Sequence, residues 1–410
     1  MLVARNPDKH MAVMSLSVDQ FTSIETTFGY DVAQDVIREL AKRLRIAVRN
    51  VDSVARLAGD EFGVLLEQLR ADGDVARVAN RIHDALRTPI VTAWNEFMLS
   101  LRVGAVLTIN GVDSPSRLIQ LARLARERAG ATGAAFEIFD PDMQARAQLK
   151  LHKEMELRRA VEGDEFDVHY QPIISLKTGH IAKMEALVRW KHPTRGLLPA
   201  ADFIGLAEET GLAVPLSWTI VARGCQQLQD WIREARTTRE FGISVNITAT
   251  HIRNRELCNG IKAVLDASGL PERCLNLEVT EGTLIGDVDA AKRVLAELRA
   301  LGVGIHLDDF GTGYSSLHVL HELPLDAIKI DRKFIALIGK GGDVRDAQVV
   351  STIRELARQM KVPVIAEGVE TKEQLDVVKK LNCEFAQGYL FSRPIPASEM
   401  AELLGKKPRW

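Results

Sequence analysis

Little in this chain points to an oxidising compartment, a membrane or a polyanion. It has 4 cysteines in 410 residues (Cys225, Cys258, Cys274 and Cys383), and none belongs to a CxxC pair. That scatter makes a poor disulfide framework and a poor zinc site, and it fits a reducing cytosol. No run reaches the roughly 18 apolar residues that a membrane-spanning helix needs. The opening MLVARNPDKH lacks the apolar core of a signal peptide. The formal net charge is −2, so there is no surplus of one sign to attract a nucleic acid polymer or an acidic membrane surface. An apolar strand, MAVMSLSV, follows almost at once. An abrupt start of this kind fits a domain cut from a longer parent and equally a short natural N-terminus. The expectation is a cytoplasmic protein, or the cytoplasmic portion of a larger, membrane-anchored one.

What is present is a globular composition, 46% hydrophobic and 26% charged, in a chain too long for one ordinary core. Three stretches follow one another: residues 1–140, 141–163 and 164–410. The first mixes strands and helices. YDVAQDVIRELAKRLRIAV carries Val32, Val36, Ile37, Leu40 and Leu44 at helical spacing. VARLAGDEFGVLL, two apolar runs around an acidic turn, predicts a β-hairpin. The whole predicts an α+β sandwich. The second stretch, PDMQARAQLKLHKEMELRRAVEG, predicts a charged helical connector. In the third, eight apolar runs alternate with amphipathic segments: FDVHYQPII, HIAKMEALVRW, FGISVNIT, CLNLEVT, VGIHLDD, AIKID, VPVIAEG and FAQGYLF. That pattern predicts a (β/α)8 TIM-like barrel.

Polar residues recur at the predicted strand ends: Glu185, Asn246, Glu278 and Glu281, Asp308 and Asp309, Lys329, Glu367 and Gln387. In a barrel such positions are where catalysis sits. Any one of them alone reads as a cap or a solvated loop carboxylate. Carboxylates from strand after strand converging on one mouth would repel strongly, and divalent cations are the ordinary compensation. Oxygen ligands with one amide, and no His or Cys cluster, favour Mg²⁺ or Mn²⁺ over zinc. More ligands than one octahedral ion uses imply two ions, the arrangement that clamps a phosphoryl centre. The residues therefore predict metal-assisted phosphoester hydrolysis.

The run MEALVRWKHPTRGLLPAADFIGLAEETGL resembles the signature of EAL-domain cyclic-di-GMP phosphodiesterases, as do SVNIT, LEVTEGTL, DDFGTGYSSL, IKIDRKFI, IAEGVET and QGYLFSRP. The resemblance implies hydrolysis of cyclic-di-GMP to linear pGpG by water that two metal ions activate. It assigns Glu185, Asn246, Glu278 and Asp308 to one ion, and Asp308, Asp309 and Glu367 to the other. It gives Lys329 the attacking water or its phosphate. Glu281 would anchor a mobile loop, DDFGTGYSSL, and thereby belong to the catalytic set. Gln171, Arg189, Gln387 and Asp331 are assigned to substrate. A homodimer through the barrels and an upstream sensor domain are also implied. Two other readings compete with an enzyme of this kind. One is a barrel that senses the nucleotide without cleaving it; the other is a bifunctional synthase and hydrolase.

Residues 11–140 resemble a GGDEF domain, the diguanylate cyclase fold, with Ala58–Phe62 as its signature hairpin. Asp60 and Glu61 are present. At the other metal position, in SVD, Ser17 stands where the family has an aspartate, and only Asp19 remains. A serine hydroxyl is a poor ligand for a hard cation. Glu25 and Gln34 stand where the resemblance implies a guanine-binding Asn and Asp. Gly130 and Ala134 stand at the phosphate-binding cations. The expectation is a cyclase-inactive domain, structural or regulatory. Arg49 and Asp52 form an RxxD that begins nine residues before Ala58, a spacing from which the resemblance implies an inhibitory site for cyclic-di-GMP or GTP.

Overall fold

The computed structural model describes residues 10–410 except 70–72, 93–94, 108–113, 255, 285–287, 312–319, 321 and 339–343. The chain divides into two compact units, Met1–His152 and Lys153–Trp410. The division falls inside the helix Pro141–Glu162. Among the described residues no helix is long and apolar enough to cross a membrane.

The first unit is built on a five-stranded sheet in the order Ser53–Ala58, Glu61–Leu69, His10–Val18, Leu101–Leu107, Phe136–Ile138. The first four strands are antiparallel to their neighbours and the last is parallel. Strand alternation sends Ala12, Met14, Leu16 and Val18 to one buried face. Helix Tyr30–Ala47 meets that face with Val36, Ile37, Leu40 and Leu44, as its spacing predicts. Helix Pro115–Thr132 packs on Val13 and Val106, on the other face. It begins at a Ser114 cap with Pro115 at the first position. It lies so close to the sheet that a Cβ on Gly104 would stand 2.1 Å from the Ala122 carbonyl oxygen. The expected hairpin forms from Ser53–Ala58 and Glu61–Leu69 and turns at Gly59, φ +51°.

In the second unit eight strands close a barrel: Phe166–Ser175, Ile181–His192, Gly242–Asn246, Leu275–Thr280, Gly304–Phe310, Ala327–Ile330, Val364–Ala366 and Phe385–Ala386. The last pairs back onto the first. One strand departs from the (β/α)8 pattern: Phe166–Ser175 is antiparallel to both neighbours. Its connection to Ile181–His192 is a short turn through Gly179, φ +76°, with no room for the crossover that a parallel pair requires. The C-terminus clasps this turn, with the Trp410 N–H donating to the Gly179 carbonyl at 3.0 Å.

Alternation on the parallel strands positions the site. Val245, Leu277, Val279, Ile305 and Leu307 are buried in the apolar layer, with Leu216, Ile220 and Leu228 of helix Ala213–Arg233. The residues between them, Ser244, Asn246, Asn276, Glu278, His306 and Asp308, are polar and belong to the opposite side of their strands, the barrel interior.

Candidate active site

Neighbouring strands bring the predicted residues together around one ammonium. Lys329 is 0% exposed, and its Nζ lies 2.7 Å from Glu278, 2.7 Å from Glu367, 3.3 Å from Asp308 and 3.4 Å from Glu185. Asn246, the last residue of its strand, donates Nδ2 to Glu185 at 2.9 Å and to Glu278 at 3.4 Å. Gln387 donates Nε2 to Glu185 at 2.6 Å and to Gln171 at 3.0 Å, and Gln171 donates to the Ser392 carbonyl. Two placements differ from the sequence reading. Glu185 lies inside a strand that runs on to His192, and Gln387 follows the last strand.

Asp308 and Asp309 are adjacent, so a regular strand would send them to opposite faces. The pairing register shifts between Leu307 and Phe310, and Asp309 takes φ +53°, a left-handed conformation uncommon for a non-glycine residue. This bulge turns both carboxylates the same way: oxygens of Asp308, Asp309 and Glu367 all lie within 4.8 Å of one another. Glu281 accepts the Gly311 N–H at 2.6 Å just beyond the bulge. A Cβ on Gly311, φ +97°, would meet the Phe334 ring at 2.7 Å. The rest of the expected loop, residues 312–319, lies outside the described residues.

The electrostatics are those of a cluster short of positive charge. Burial and then the four facing carboxylates act in opposite senses on Lys329; the carboxylates prevail and hold it well above the ordinary lysine value. Burial, joined by mutual repulsion, raises Glu185, Glu278, Asp308 and Glu367. Asp309 is pushed up to about 6 by burial and by Asp308 and Asp331 beside it. Five carboxylates (Glu185, Glu278, Asp308, Asp309, Glu367) against Lys329 leave four formal negative charges, the number two divalent cations carry. Glu278 Oε1 and Gln387 Oε1 are buried with no hydrogen-bond donor among the described residues. Hard oxygens in excess of donors fit Mg²⁺ or Mn²⁺.

A cavity of about 200 Å³ opens on this cluster, lined by Gln171, Glu185, Asp308, Lys329, Glu367 and Gln387 among others. Arg332, Glu370 and Tyr389 also line it; the sequence reading missed them. Arg332 follows Asp331 directly and Tyr389 follows Gln387-Gly388, so adjacency was the available signal. A second cavity of about 580 Å³ shares Leu187 with it and includes Ala186, Asn246, Thr248, Arg253 and Thr283. Arg189 lines neither cavity and donates to the Val188 carbonyl at 2.8 Å. Asp331 caps helix Arg332–Leu337 through the Lys333 N–H at 2.7 Å.

Two family models match the chain: the EAL domain over residues 154–394, and the diguanylate cyclase GGDEF domain over residues 2–135. The chain belongs to the tandem GGDEF–EAL proteins. It is 38% identical over 397 residues to the cyclic di-GMP phosphodiesterase NbdA of Pseudomonas aeruginosa, covering 97% of this chain and 50% of that protein. It is 36% identical over 396 residues to MucR of the same organism, a bifunctional diguanylate cyclase/cyclic di-GMP phosphodiesterase, covering 96% and 57%. It thus spans about half the length of these curated relatives. The structure of the MucR phosphodiesterase in complex with c-di-GMP matches with TM-score 0.58 and 38% identity, covering 61% of this chain and 99% of that one. The EAL enzyme Bd1971 with cAMP and cyclic-di-GMP bound matches with TM-score 0.60 and 27% identity, covering 85% and 81%.

In the GGDEF unit the signature carboxylates are engaged by the protein itself. Asp60 accepts the Val18 N–H at 3.0 Å. Glu61 accepts from Arg123 at 2.7 and 2.8 Å and from Ser15 at 2.9 Å, and pairs with Arg126 at 3.1 Å. Both arginines come from helix Pro115–Thr132, and the sequence reading missed them. Ser17 lies within the central strand, paired with Arg102, and Asp19 forms an ion pair with that arginine. Gln34 accepts from Arg56 at 2.9 Å, and Glu25 is on helix Phe21–Phe28. Gly130 faces Arg102, whose guanidinium a Cβ there would meet at 2.6 Å. The Asp52 side chain is 0% exposed; it accepts the N–H groups of Arg49 and Glu67 at 2.9 and 3.1 Å and pairs with the Arg49 guanidinium. Arg49 lines a surface cavity of about 530 Å³ with Arg77 and Arg81.

Proposed function

We propose that the EAL barrel hydrolyses cyclic-di-GMP to linear pGpG, and that the GGDEF unit makes no cyclic-di-GMP and is structural or regulatory. One observation carries the first statement: a buried excess of carboxylate over ammonium, with two donor-less oxygens, beside a cavity at the barrel mouth. Relatives named as cyclic-di-GMP phosphodiesterases, one solved with that nucleotide, support it.

In this reading Glu185, Asn246, Glu278 and Asp308 hold one Mg²⁺ or Mn²⁺, and Asp308, Asp309 and Glu367 hold the second. When bound, such ions supply a Lewis acid to a phosphoryl oxygen and make water acidic near neutral pH. The chain's own groups do the remaining work. Lys329 puts a fixed positive charge at the floor of the cavity, where an anionic phosphodiester or its attacking water meets it. Gln387 and Gln171, bonded to each other, keep Glu185 in one orientation. Arg332 offers a forked cation at the cavity wall, a match for phosphate. The larger neighbouring cavity has the volume and the mixed apolar and hydroxyl lining for a nucleoside arm. Glu281 fixes the backbone after the bulge and so the direction of Asp309. Homodimerisation through the barrels and a sensor domain elsewhere in the parent belong to the same proposal.

For the GGDEF unit, Ser17 in place of a carboxylate, Gln34 held by Arg56, and Asp60 and Glu61 already satisfied leave little to hold a metal–triphosphate. Nucleotide binding at Arg49 rests on the arginine-lined cavity, because Asp52 is taken up by backbone N–H groups. Two incubations of the purified chain test the proposal. With cyclic-di-GMP and Mg²⁺ or Mn²⁺, chromatography should show pGpG, and Glu185→Ala should abolish it; binding without cleavage under either ion overturns the hydrolase reading. With GTP and Mg²⁺, any cyclic-di-GMP overturns the reading of the GGDEF unit.

A further inference from the structure

Beneath the carboxylate cluster the barrel holds a second polar group that the proposed chemistry does not use. His306 is 0% exposed, and Ser244, also 0% exposed, lies beside it. The Lys183 ammonium lies 3.3 Å from His306 Nε2. On the other side of the ring, His306 Nδ1 lies 3.3 Å from Ser244 Oγ and 3.7 Å from Glu278 Oε1. The Glu278 contact follows from register, since Glu278 pairs with His306 on adjacent parallel strands, whereas Lys183 and Ser244 come from strands further round the sheet and reach the ring across the barrel interior. Glycines make the space. A Cβ on Gly242 would meet Asn276 at 2.9 Å and the Lys183 stem at 3.3 Å, and one on Gly304 would meet Asn276 at 2.4 Å. The Lys183 stem also passes the Phe385 ring, with Nζ 5.8 Å from its centroid.

The donor inventory decides the tautomer. An ammonium has hydrogens to give and no lone pair to receive one. Nε2 facing Lys183 is therefore the bare nitrogen, and the single proton of the neutral ring sits on Nδ1. That N–H faces Ser244 Oγ and Glu278 Oε1, the buried carboxylate oxygen with no donor within hydrogen-bond distance among the described residues. In the opposite tautomer a lone pair would face a carboxylate and an N–H would face an ammonium, two repulsions in a buried space. A ring protonated on both nitrogens would likewise aim an N–H at the Lys183 ammonium. Glu278 is thus approached from both sides, with Lys329 and Asn246 on Oε2 and the His306 N–H facing Oε1.

We propose that His306, its tautomer set by Lys183, is a positioning residue that orients Glu278 as a metal ligand of the barrel. The inference rests on the reading of Glu278 as a ligand. A neutral imidazole N–H steadies the carboxylate without lowering its charge, so the affinity for the cation is kept. Outer partners of metal ligands typically contribute about 10–100-fold in affinity.

The test measures Mn²⁺ binding to the whole chain without nucleotide, by electron paramagnetic resonance of the free ion. His306→Leu, which fills space but offers no N–H, should weaken binding by about 10–100-fold. His306→Asn, whose amide N–H can stand in for Nδ1–H, should recover most of it. Long-range ¹H–¹⁵N spectra of histidine-labelled protein, with His306 assigned by its absence in His306→Asn, should show the Nδ1–H tautomer, and Lys183→Met should abolish that preference. Far-UV circular dichroism restricts the comparison to folded variants. Unchanged Mn²⁺ affinity in His306→Leu, equal losses in Leu and Asn, or an Nε2–H ring each overturns the inference. Absence of Mn²⁺ binding by the unsubstituted chain overturns it together with the metal reading of the barrel, so the two failures are distinguishable.

Discussion

Two acidic clusters in this chain are made of the same side chains and behave in opposite ways. In the GGDEF unit Glu61 lies between Arg123 and Arg126, with Ser15 donating to it. Burial opposes its charge, but these partners outweigh burial and its pKa is lowered. In the EAL barrel four carboxylates share Lys329 with Asp309 beside them, and burial with mutual repulsion raises the pKa of all five. A lowered carboxylate is one the protein has already satisfied. A raised one marks a carboxylate whose burial and repulsion the surrounding cations have not offset. An acidic motif in a sequence has both fates available; the neighbouring cations choose between them.

Four measurements can break or sharpen this contrast. The largest effect is expected for Lys329→Met. Removing the ammonium from a buried ion-pair cluster should cost the barrel about 3–5 kcal/mol in chelator, measured by denaturant unfolding, and added Mn²⁺ should return part of it. An unchanged midpoint would mean that Lys329 does not offset the carboxylates. Next is Asp308→Asn, the residue shared by both proposed ion sites. Release of pGpG should fall by more than about 100-fold, the upper range for an outer partner, and the melting temperature in chelator should not fall. A variant that keeps hydrolysing sinks the shared-ligand assignment.

Glu61→Gln should destabilise the GGDEF unit by about 1–3 kcal/mol, because it leaves two arginines without their carboxylate. Preserved stability would mean that this cluster is not satisfied in the sense argued here. The smallest effects concern pH. With a folded pKa below the ordinary 4.5, Glu61 contributes stability above that value and loses it as pH falls through the lowered one. Asp309, raised to about 6 from 3.8, has the opposite sign: its contribution is present below 3.8 and is lost as pH rises through about 6. In chelator, Asp309→Asn should therefore stabilise the protein above about pH 6, while Glu61→Gln destabilises it there. The same sign for both in unfolding curves at pH 5 and 7.5 would remove the contrast.

Much of the fold was legible because burial imposes period. The helix Tyr30–Ala47 follows from its apolar stripe, and the hairpin follows from two apolar runs around Gly59. Each quoted barrel run contains a strand. The antiparallel sense of Phe166–Ser175 was not legible, because its apolar run looks the same in either direction; only the short connection through Gly179 distinguishes them. The metal candidates were legible as a series because oxygen ligands recur at successive strand ends. Arg123 and Arg126 were not, since they sit about 60 residues from Glu61 on a helix whose approach is set by Gly104. His306 and Lys183 lay hidden for a similar reason, as ordinary polar positions in apolar strands until barrel closure brought two strands that are not neighbours in the sheet close enough for the side chains to meet.

The chain order alone settles which chemical groups this protein owns and which of them share a face of a regular strand, because alternation needs only local backbone geometry. Tertiary structure decides everything that depends on distance. The bulge at Asp308 and Asp309 turns two adjacent carboxylates to one side, barrel closure gathers Glu185, Glu278, Asp308 and Glu367 around Lys329, and a helix delivers two arginines to Glu61. Coulomb interactions fall with separation and grow with burial. For that reason acidic side chains are offset by arginines in one unit and crowded around a single ammonium in the other.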